Sequence, residues 1–284
     1  MTAAWLSNPE SRIPNPESRK NKQLMNLGTA LIRKPTTNLA DGIVTHLQRS
    51  PVDVDLAMTQ HAAYCAALAA AGWALREVEP AQDCPDAVFI EDAVVVVDGV
   101  AVITRPGADS RKPETAGAEA ACRALGLSIV RLTAPATLDG GDVLQVGNTL
   151  YVGRGGRTNA EGIRQLRAAV APLGRCVVPV RLREVLHLKS AVTALPDGTF
   201  LALPELFEPG VFPPGRPVTE EAGCHVVLLG DDRILMAASA PRTADALADL
   251  GFRPMLVDIS EFEKLEGCVT CLSVLVPQVG CHRD

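Results

Sequence analysis

The sequence predicts an α/β fold assembled from one recurring unit of strand, strand, helix and strand, and three observations carry that reading. Two-residue turn signals, "DG" at Asp98 and Gly99 and "GN" at Gly147 and Asn148, each join two β-branched runs. A helical stretch closed by glycine follows these hairpins, and the same order then returns along the chain. The first copy is "FIEDAVVVV", "DG", "VAVITR", a helix opened at Ser110 and closed at Gly126, then "SIVRL". The second is "DVLQV", "GN", "TLYVG", a helix opened at Thr158, and "CVVPV". A third begins "SAVTAL", "PDG", "TFLAL" and has an irregular middle through "PELFEPGVFPPG". The fourth is "CHVVLL", "GDD", "RILMAAS", a helix in "RTADALADLG", and "RPMLVDI". A fifth must be assembled from both ends, with "VTCLSVLV" from the C-terminus and "TALIRK", "VDLAMTQHAAYCAALAAAG" and "WALREV" from the N-terminal part. Periodicity alone leaves two architectures open, five units closed into a ring or an ordinary α/β sandwich.

With 284 residues, 47% of them hydrophobic and 4% aromatic, the chain can bury one large core or two ordinary ones. A formal net charge of -6 speaks against nucleic acid or an anionic membrane as the main partner, since either demands a basic face. The first residues lack the apolar core of a secretory signal and no later segment has a membrane-spanning run, so a cytoplasmic location is expected. "NPESR" occurs twice in the polar, proline-bearing tail, which reads as disordered over residues 1–25. The eight cysteines are scattered and follow no disulfide spacing, as expected of reduced thiols.

"EGCVTCLSV" places Cys268 and Cys271 in a CxxC spacing. A redox pair of that kind normally opens a helix, whereas "VTCLSVLV" continues as a β-branched strand, on which the two thiols point to opposite faces. Only one of them can then look into a site, and either is equally well a small buried hydrophobe. Structural zinc on Cys268, Cys271, Cys281 and His282 needs the last residues folded back and has no second CxxC behind it. A nucleophilic cysteine needs a base, and of five histidines His187 in "EVLHLKS" is the best placed, with a satisfied structural histidine as the equal alternative. Glu91 and Asp92 interrupt an otherwise apolar strand and demand a cation, because an unpaired buried carboxylate costs several kcal/mol. In "TLDGGDVL", Asp139 can orient a histidine, while Asp142 reads as turn chemistry. Arg111 and Arg157 stand at equivalent places in two units, where paired arginines grip a carboxylate or lie solvated at the surface.

Taken in order, "FIEDAVVV", "AVITRPGADSRKPET", "ATLDGGDVL", "RTNAEG", "VLHLKSA" and "LEGCVTCLSVLV" resemble the dimethylarginine dimethylaminohydrolases of the guanidine-modifying pentein superfamily, from about Leu31 to Val276. The resemblance implies a closed five-bladed propeller of ββαβ modules, with one catalytic domain over residues 26–284. It implies Cys271 as nucleophile, His187 as acid and base, and Asp139 as the carboxylate holding His187. It further implies Glu91 and Asp92 at the substrate guanidinium, Asp86 at its α-amino group, and Arg111 and Arg157 at its carboxylate. Ile43 falls on a lid over the site, with Leu265 and Glu266 at the substrate as well. Glu266 stands where the family commonly has aspartate. The implied reaction is hydrolysis of Nω,Nω-dimethyl-L-arginine, and of the monomethyl compound, to citrulline and the amine. It needs no metal or cofactor, and the protein is a monomer or homodimer. Other readings are an arginine deiminase-like hydrolase and a non-catalytic binder of arginine derivatives. Deiminases of this superfamily typically carry an aspartate two residues after the histidine; Lys189 occupies that place here and favours a methylated guanidinium, which has fewer N–H groups to satisfy.

Overall fold

Each hairpin signal of the sequence marks a sheet in the computed structural model, which describes residues 27–278. The strands are β1 (Gly28–Ile32), β2 (Trp73–Glu77), β3 (Val94–Val97), β4 (Val100–Ile103), β5 (Ser128–Arg131), β6 (Val143–Val146), β7 (Thr149–Arg154), β8 (Cys176–Arg181), β9 (Val192–Ala194), β10 (Phe200–Ala202), β11 (Arg216–Pro217), β12 (Val227–Gly230), β13 (Arg233–Ala237), β14 (Arg253–Val257) and β15 (Ser273–Pro277). They form five three-stranded sheets, β15-β1-β2, β3-β4-β5, β6-β7-β8, β9-β10-β11 and β12-β13-β14. In every sheet the first pair is antiparallel and the second parallel. In four of them a tight hairpin thus feeds a crossover, while β15 and β1 come from opposite ends of the described chain. At the first hairpin both central residues adopt left-handed backbone, Asp98 at φ 46° and Gly99 at φ 80°, the geometry that an Asp-Gly turn supplies most cheaply.

The crossovers of four sheets are the helices α1 (Val54–Ala70), α2 (Thr115–Ala124), α3 (Ala160–Val170) and α4 (Pro241–Asp249); a short α5 (Ser260–Glu263) precedes the cysteine pair. Residues 203–215, the connection from β10 to β11, hold only a 3-10 turn, so the irregular middle expected of the third unit is its actual structure. Two helix starts move. α2 begins at Thr115, because a 3-10 turn over Asp109–Glu114 comes first and carries Arg111; α3 is capped by Asn159, whose side chain accepts from the N–H of Gly162. Thr158 is instead spent on the carboxylate of Asp142.

Three further expectations change in the same way. Glu91 and Asp92 do not interrupt a strand; they lie on a 3-10 turn, Ile90–Ala93, that delivers them just before β3. "VTCLSVLV" is a strand only from Ser273, and Cys268 to Cys271 form a turn closed by the N–H of Cys271 on the carbonyl of Cys268 at 3.1 Å. The opposite-face argument for the two thiols therefore fails. The reading of residues 1–25, and of Cys281 and His282, lies outside the described residues.

The first strand of every sheet, β3, β6, β9, β12 and β15, lends residues to one cavity of about 380 Å³. Turns preceding these strands carry the polar side chains, so the site forms where the strands begin. Among the described residues no helix is long and apolar enough to cross a membrane.

Candidate active site

Nine of the eleven residues singled out in the sequence line one pocket: Ile43, Asp86, Asp92, Arg111, Arg157, His187, Leu265, Glu266 and Cys271. Phe89, Leu186 and Gly267 complete its wall and were not foreseen. Asp139 stands behind it, fully buried, and Glu91 turns away from it.

His187 is held from two sides. Its Nε2 lies 3.1 Å from Asp139 Oδ2, and its Nδ1 lies 3.8 Å from Asp92 Oδ1. Asp139 is itself fixed by the N–H of Gly107 at 2.8 Å. Gly141 explains the double glycine of "TLDGGDVL": its N–H donates to Asp92 at 2.8 Å, and an added Cβ would lie 2.5 Å from the His187 ring. Asp142 does more than shape a turn. It is fully buried, accepts from Thr158 and from the N–H of Leu188 at 3.0 Å, and so sets the backbone beside His187. Burial pushes its own pKa up to about 7. Burial also opposes charge on His187, yet Asp92, the hydrogen bond to Asp139, and Asp142 outweigh it and raise the pKa to about 9. At neutral pH His187 is therefore a cation. The donor atoms of Asp92, Asp139 and His187 lie within 4.8 Å of one another, a spacing a metal could span, although Arg111 already engages Asp92 and the N–H of Gly107 engages Asp139.

The two arginines are unequal. Arg111 is buried, and four of its five N–H groups are committed: Nε and Nη2 to Glu114, Nη1 to Asp92 at 2.6 Å, and Nη2 also to the carbonyls of Asp86 and Phe89. It is the cation that Asp92 demanded, and together with His187 it holds that carboxyl down to about 2 although burial acts the other way. Arg157 is half-buried and donates to Thr45 Oγ1 at 3.1 Å, which leaves it the freer of the two for an incoming carboxylate.

The acidic pair also divides. Asp92 faces the pocket, whereas Glu91 pairs with Lys189 and accepts from Thr270 Oγ1 at 3.1 Å. Burial raises the Glu91 pKa to about 7 in spite of the lysine. Lys189 is thus not a wall of this pocket; with Glu91 it lines the cavity of about 380 Å³ instead. The loop over residues 42–47 is anchored at three points. The N–H of Ile43 donates to Asp86 at 3.0 Å; those of Thr45, His46 and Leu47 donate to Glu266; and Arg157 reaches Thr45. Glu266 sits at φ 61°, and its longer side chain captures that loop instead of projecting free into the pocket.

Cys271 lies at the pocket floor, two residues before β15, and its carbonyl accepts from the N–H of Glu91 at 3.2 Å. Its sulfur is 3.3 Å from that of Cys268. The Cys271 thiol is pushed up, by hydrogen bonding to Cys268 and by burial, while Cys268 is pushed down by the same contact.

No family model matches the chain. It is 63% identical over 246 residues to an N(G),N(G)-dimethylarginine dimethylaminohydrolase of Streptomyces coelicolor, which covers 86% of this chain and 95% of that protein. It is 36% identical over 251 residues to the enzyme of the same name from Pseudomonas aeruginosa, covering 86% and 97%. Among solved structures, a serine variant of that Pseudomonas aeruginosa enzyme in complex with citrulline superposes with a TM-score of 0.81 at 34% identity, over 88% of this chain and 99% of the other. Likeness of this extent, over nearly the whole length of each relative, places the chain in the dimethylarginine dimethylaminohydrolase family.

Proposed function

We propose that the protein hydrolyses Nω,Nω-dimethyl-L-arginine, and Nω-methyl-L-arginine, to L-citrulline and dimethylamine or methylamine. The observation that carries this reading is one pocket lined by a cysteine, a doubly held cationic histidine and a charge-fixed aspartate. A guanidinium carbon is a poor electrophile, since its charge is spread over three nitrogens. Asp92, kept ionised, pairs with that cation and fixes its carbon over Cys271. The bound guanidinium and the His187 cation draw down the otherwise raised Cys271 thiol, its proton leaves to solvent, and the thiolate attacks the carbon. His187 protonates the departing amine, and a covalent S-alkylthiouronium remains. His187, now neutral and still held by Asp139, takes a proton from water, which adds to the carbon; citrulline leaves and the thiol is restored. Asp86 takes the α-amino group and Arg157, with the remaining N–H of Arg111, the α-carboxylate. Phe89, Leu186, Leu265 and Ile43 supply the apolar wall that N-methyl groups require.

The finer architecture is a closed five-bladed propeller forming one catalytic domain. The shared cavity supports it, since all five first strands contribute to its lining.

The test is to supply asymmetric dimethylarginine and arginine in parallel and follow citrulline together with dimethylamine or ammonia. Citrulline with dimethylamine, and little product from arginine, is the expected result. Ammonia from arginine alone would make the protein a deiminase instead. Once bound substrate has ionised Cys271, the first chemical step should slow about tenfold per unit above a pH of about 9, because His187 then lacks the proton it must deliver. The same loss removes its ion pairs, so its contribution to stability, complete below the ordinary value of 6.5, fades as pH rises through about 9. A rate flat to pH 10 in pre-steady-state measurements would contradict the assignment. Lys189→Asp removes the partner of Glu91 and adds a second carboxylate beside it; the ratio of kcat/KM values should move toward arginine, and an unmoved ratio would dismiss Lys189 as a specificity determinant.

A further inference from the structure

Hydrolysis uses one thiol, yet the fold presents two. Cys268 and Cys271 are the first and fourth residues of a hydrogen-bonded turn, their sulfurs 3.3 Å apart and both side chains buried. Such a turn brings its end Cα atoms to within about 7 Å, which overlaps the ~4.4–6.8 Å that a disulfide spans. Only Cys271 lines the active-site pocket; Cys268 lies behind it, 3.2 Å from Thr270 Oγ1. We propose that this pair is a peroxide-responsive modification site, in which Cys268 resolves oxidised Cys271 as a reversible disulfide that blocks the nucleophile.

The steps balance as follows. Hydrogen peroxide entering the pocket is attacked by the Cys271 sulfur, whose proton is given up as it reacts; the O–O bond breaks, Cys271 becomes a sulfenic acid, and the leaving hydroxide takes up that proton as water. The sulfur of Cys268 then attacks that of Cys271. The S–O bond breaks, the S–S bond forms, and the hydroxyl leaves with the Cys268 proton as a second water. Two thiols have lost two electrons and hydrogen peroxide has become two waters.

The surroundings favour the second step. The resolving sulfur must be both near and anionic. In the reduced pair Cys268 is drawn toward its thiolate first by hydrogen bonding from the Cys271 thiol; once that thiol is oxidised, His225 and Thr270 remain beside it to do so, against burial. His225 is fixed by the Ser190 carbonyl 3.0 Å from its Nε2, and despite burial its pKa is lifted to about 10 by Cys268 and Cys224, so it faces Cys268 as a cation. Without a resolving thiol, a sulfenic acid proceeds to sulfinic and sulfonic acids, which simple thiols do not reduce. On this account Cys268 preserves the nucleophile through oxidative exposure.

The cross-link stands independently of the hydrolytic reading, and only the accompanying loss of turnover rests on it. The full-length reduced protein is treated with hydrogen peroxide, free thiols are alkylated, and intact mass and peptide maps are recorded beside citrulline formation. The expected product has lost two hydrogens, maps as a Cys268–Cys271 link, and regains both mass and turnover with a dithiol reductant. Cys268→Ser and Cys268→Ala should instead gain two or three oxygens on Cys271 and stay inactive after reduction. A wild-type Cys271 that stays reduced, or that carries oxygen while Cys268 remains a thiol, overturns the proposal. A clean cross-link in a protein that never releases citrulline would sink the hydrolase assignment and leave the disulfide in place.

Discussion

Replacing Cys271 by serine should lower citrulline formation by a factor on the order of a thousand or more, whereas the same change at Cys268 should leave turnover within about tenfold of the starting value. The difference follows from position. Cys271 lines the pocket that His187 and Asp92 share, while Cys268 is outside it. A serine hydroxyl titrates far above a thiol, so neither the bound guanidinium nor the His187 cation can bring it to the anion that attack requires. Each exchange alters one atom in a buried turn, so both proteins should remain folded under assay conditions, which thermal melts check. Steady-state citrulline assays on both variants decide the matter. Equal losses at the two positions would mean that the pair acts as a unit and that the single-nucleophile mechanism is wrong.

The second large effect is on stability. Arg111→Met should destabilise the fold by about 3–5 kcal/mol, a fall on the order of 10 °C in melting temperature. The methionine fills much of the space but leaves Asp92 and Glu114 buried without their cation. Asp92 would then be left with His187 as its remaining cation and Glu114 with Arg33. The deficit should shrink as pH is lowered and the freed carboxylates take up protons, which a pH series of thermal melts would show. Arg157→Met supplies the contrast, because Arg157 is half-buried and is not joined to a buried carboxylate. It should raise KM and leave the melting temperature in place. A fully stable Arg111→Met protein would mean that the network around Asp92 is supported from elsewhere.

How far the sequence could be read depended on the range of the signal. Five units were legible because turn residues, glycine stops and β-branched runs act over a few positions, and Asp98-Gly99 adopts the very turn its chemistry selects. Boundaries failed where a side chain had a distant duty. Thr158 looks like a helix cap but bonds to Asp142, so Asn159 takes over the cap. Glu91 and Asp92 were legible as a charged anomaly, yet which of them faces the pocket depends on Lys189, 98 residues further on. Arg111 and Arg157 look equivalent in their units, and only the placement of Glu114 commits the first to the interior. The cysteine pair was misread because Val269 and the β-branched residues after Ser273 suggest one continuous strand. The turn that joins the sulfurs is set by backbone hydrogen bonding, which composition does not announce.

The sheet β15-β1-β2 differs from the other four in when its strands become available. β3, β6, β9 and β12 each pair with a strand that follows within a few residues, so those sheets can assemble while the chain is still being made. β1 pairs through Gly28 to Ile32 with Pro277 to Ser273, and must wait for nearly the whole polypeptide before its second neighbour arrives. The loop-closure entropy of that pairing spans more than 200 residues and is met in one step. Cys271 sits two residues ahead of β15, so the proposed nucleophile is fixed only when that strand pairs with β1. A chain that lacks β15 holds the other residues of the pocket but not the pairing that fixes Cys271, so it should form no citrulline until β15 has joined β1.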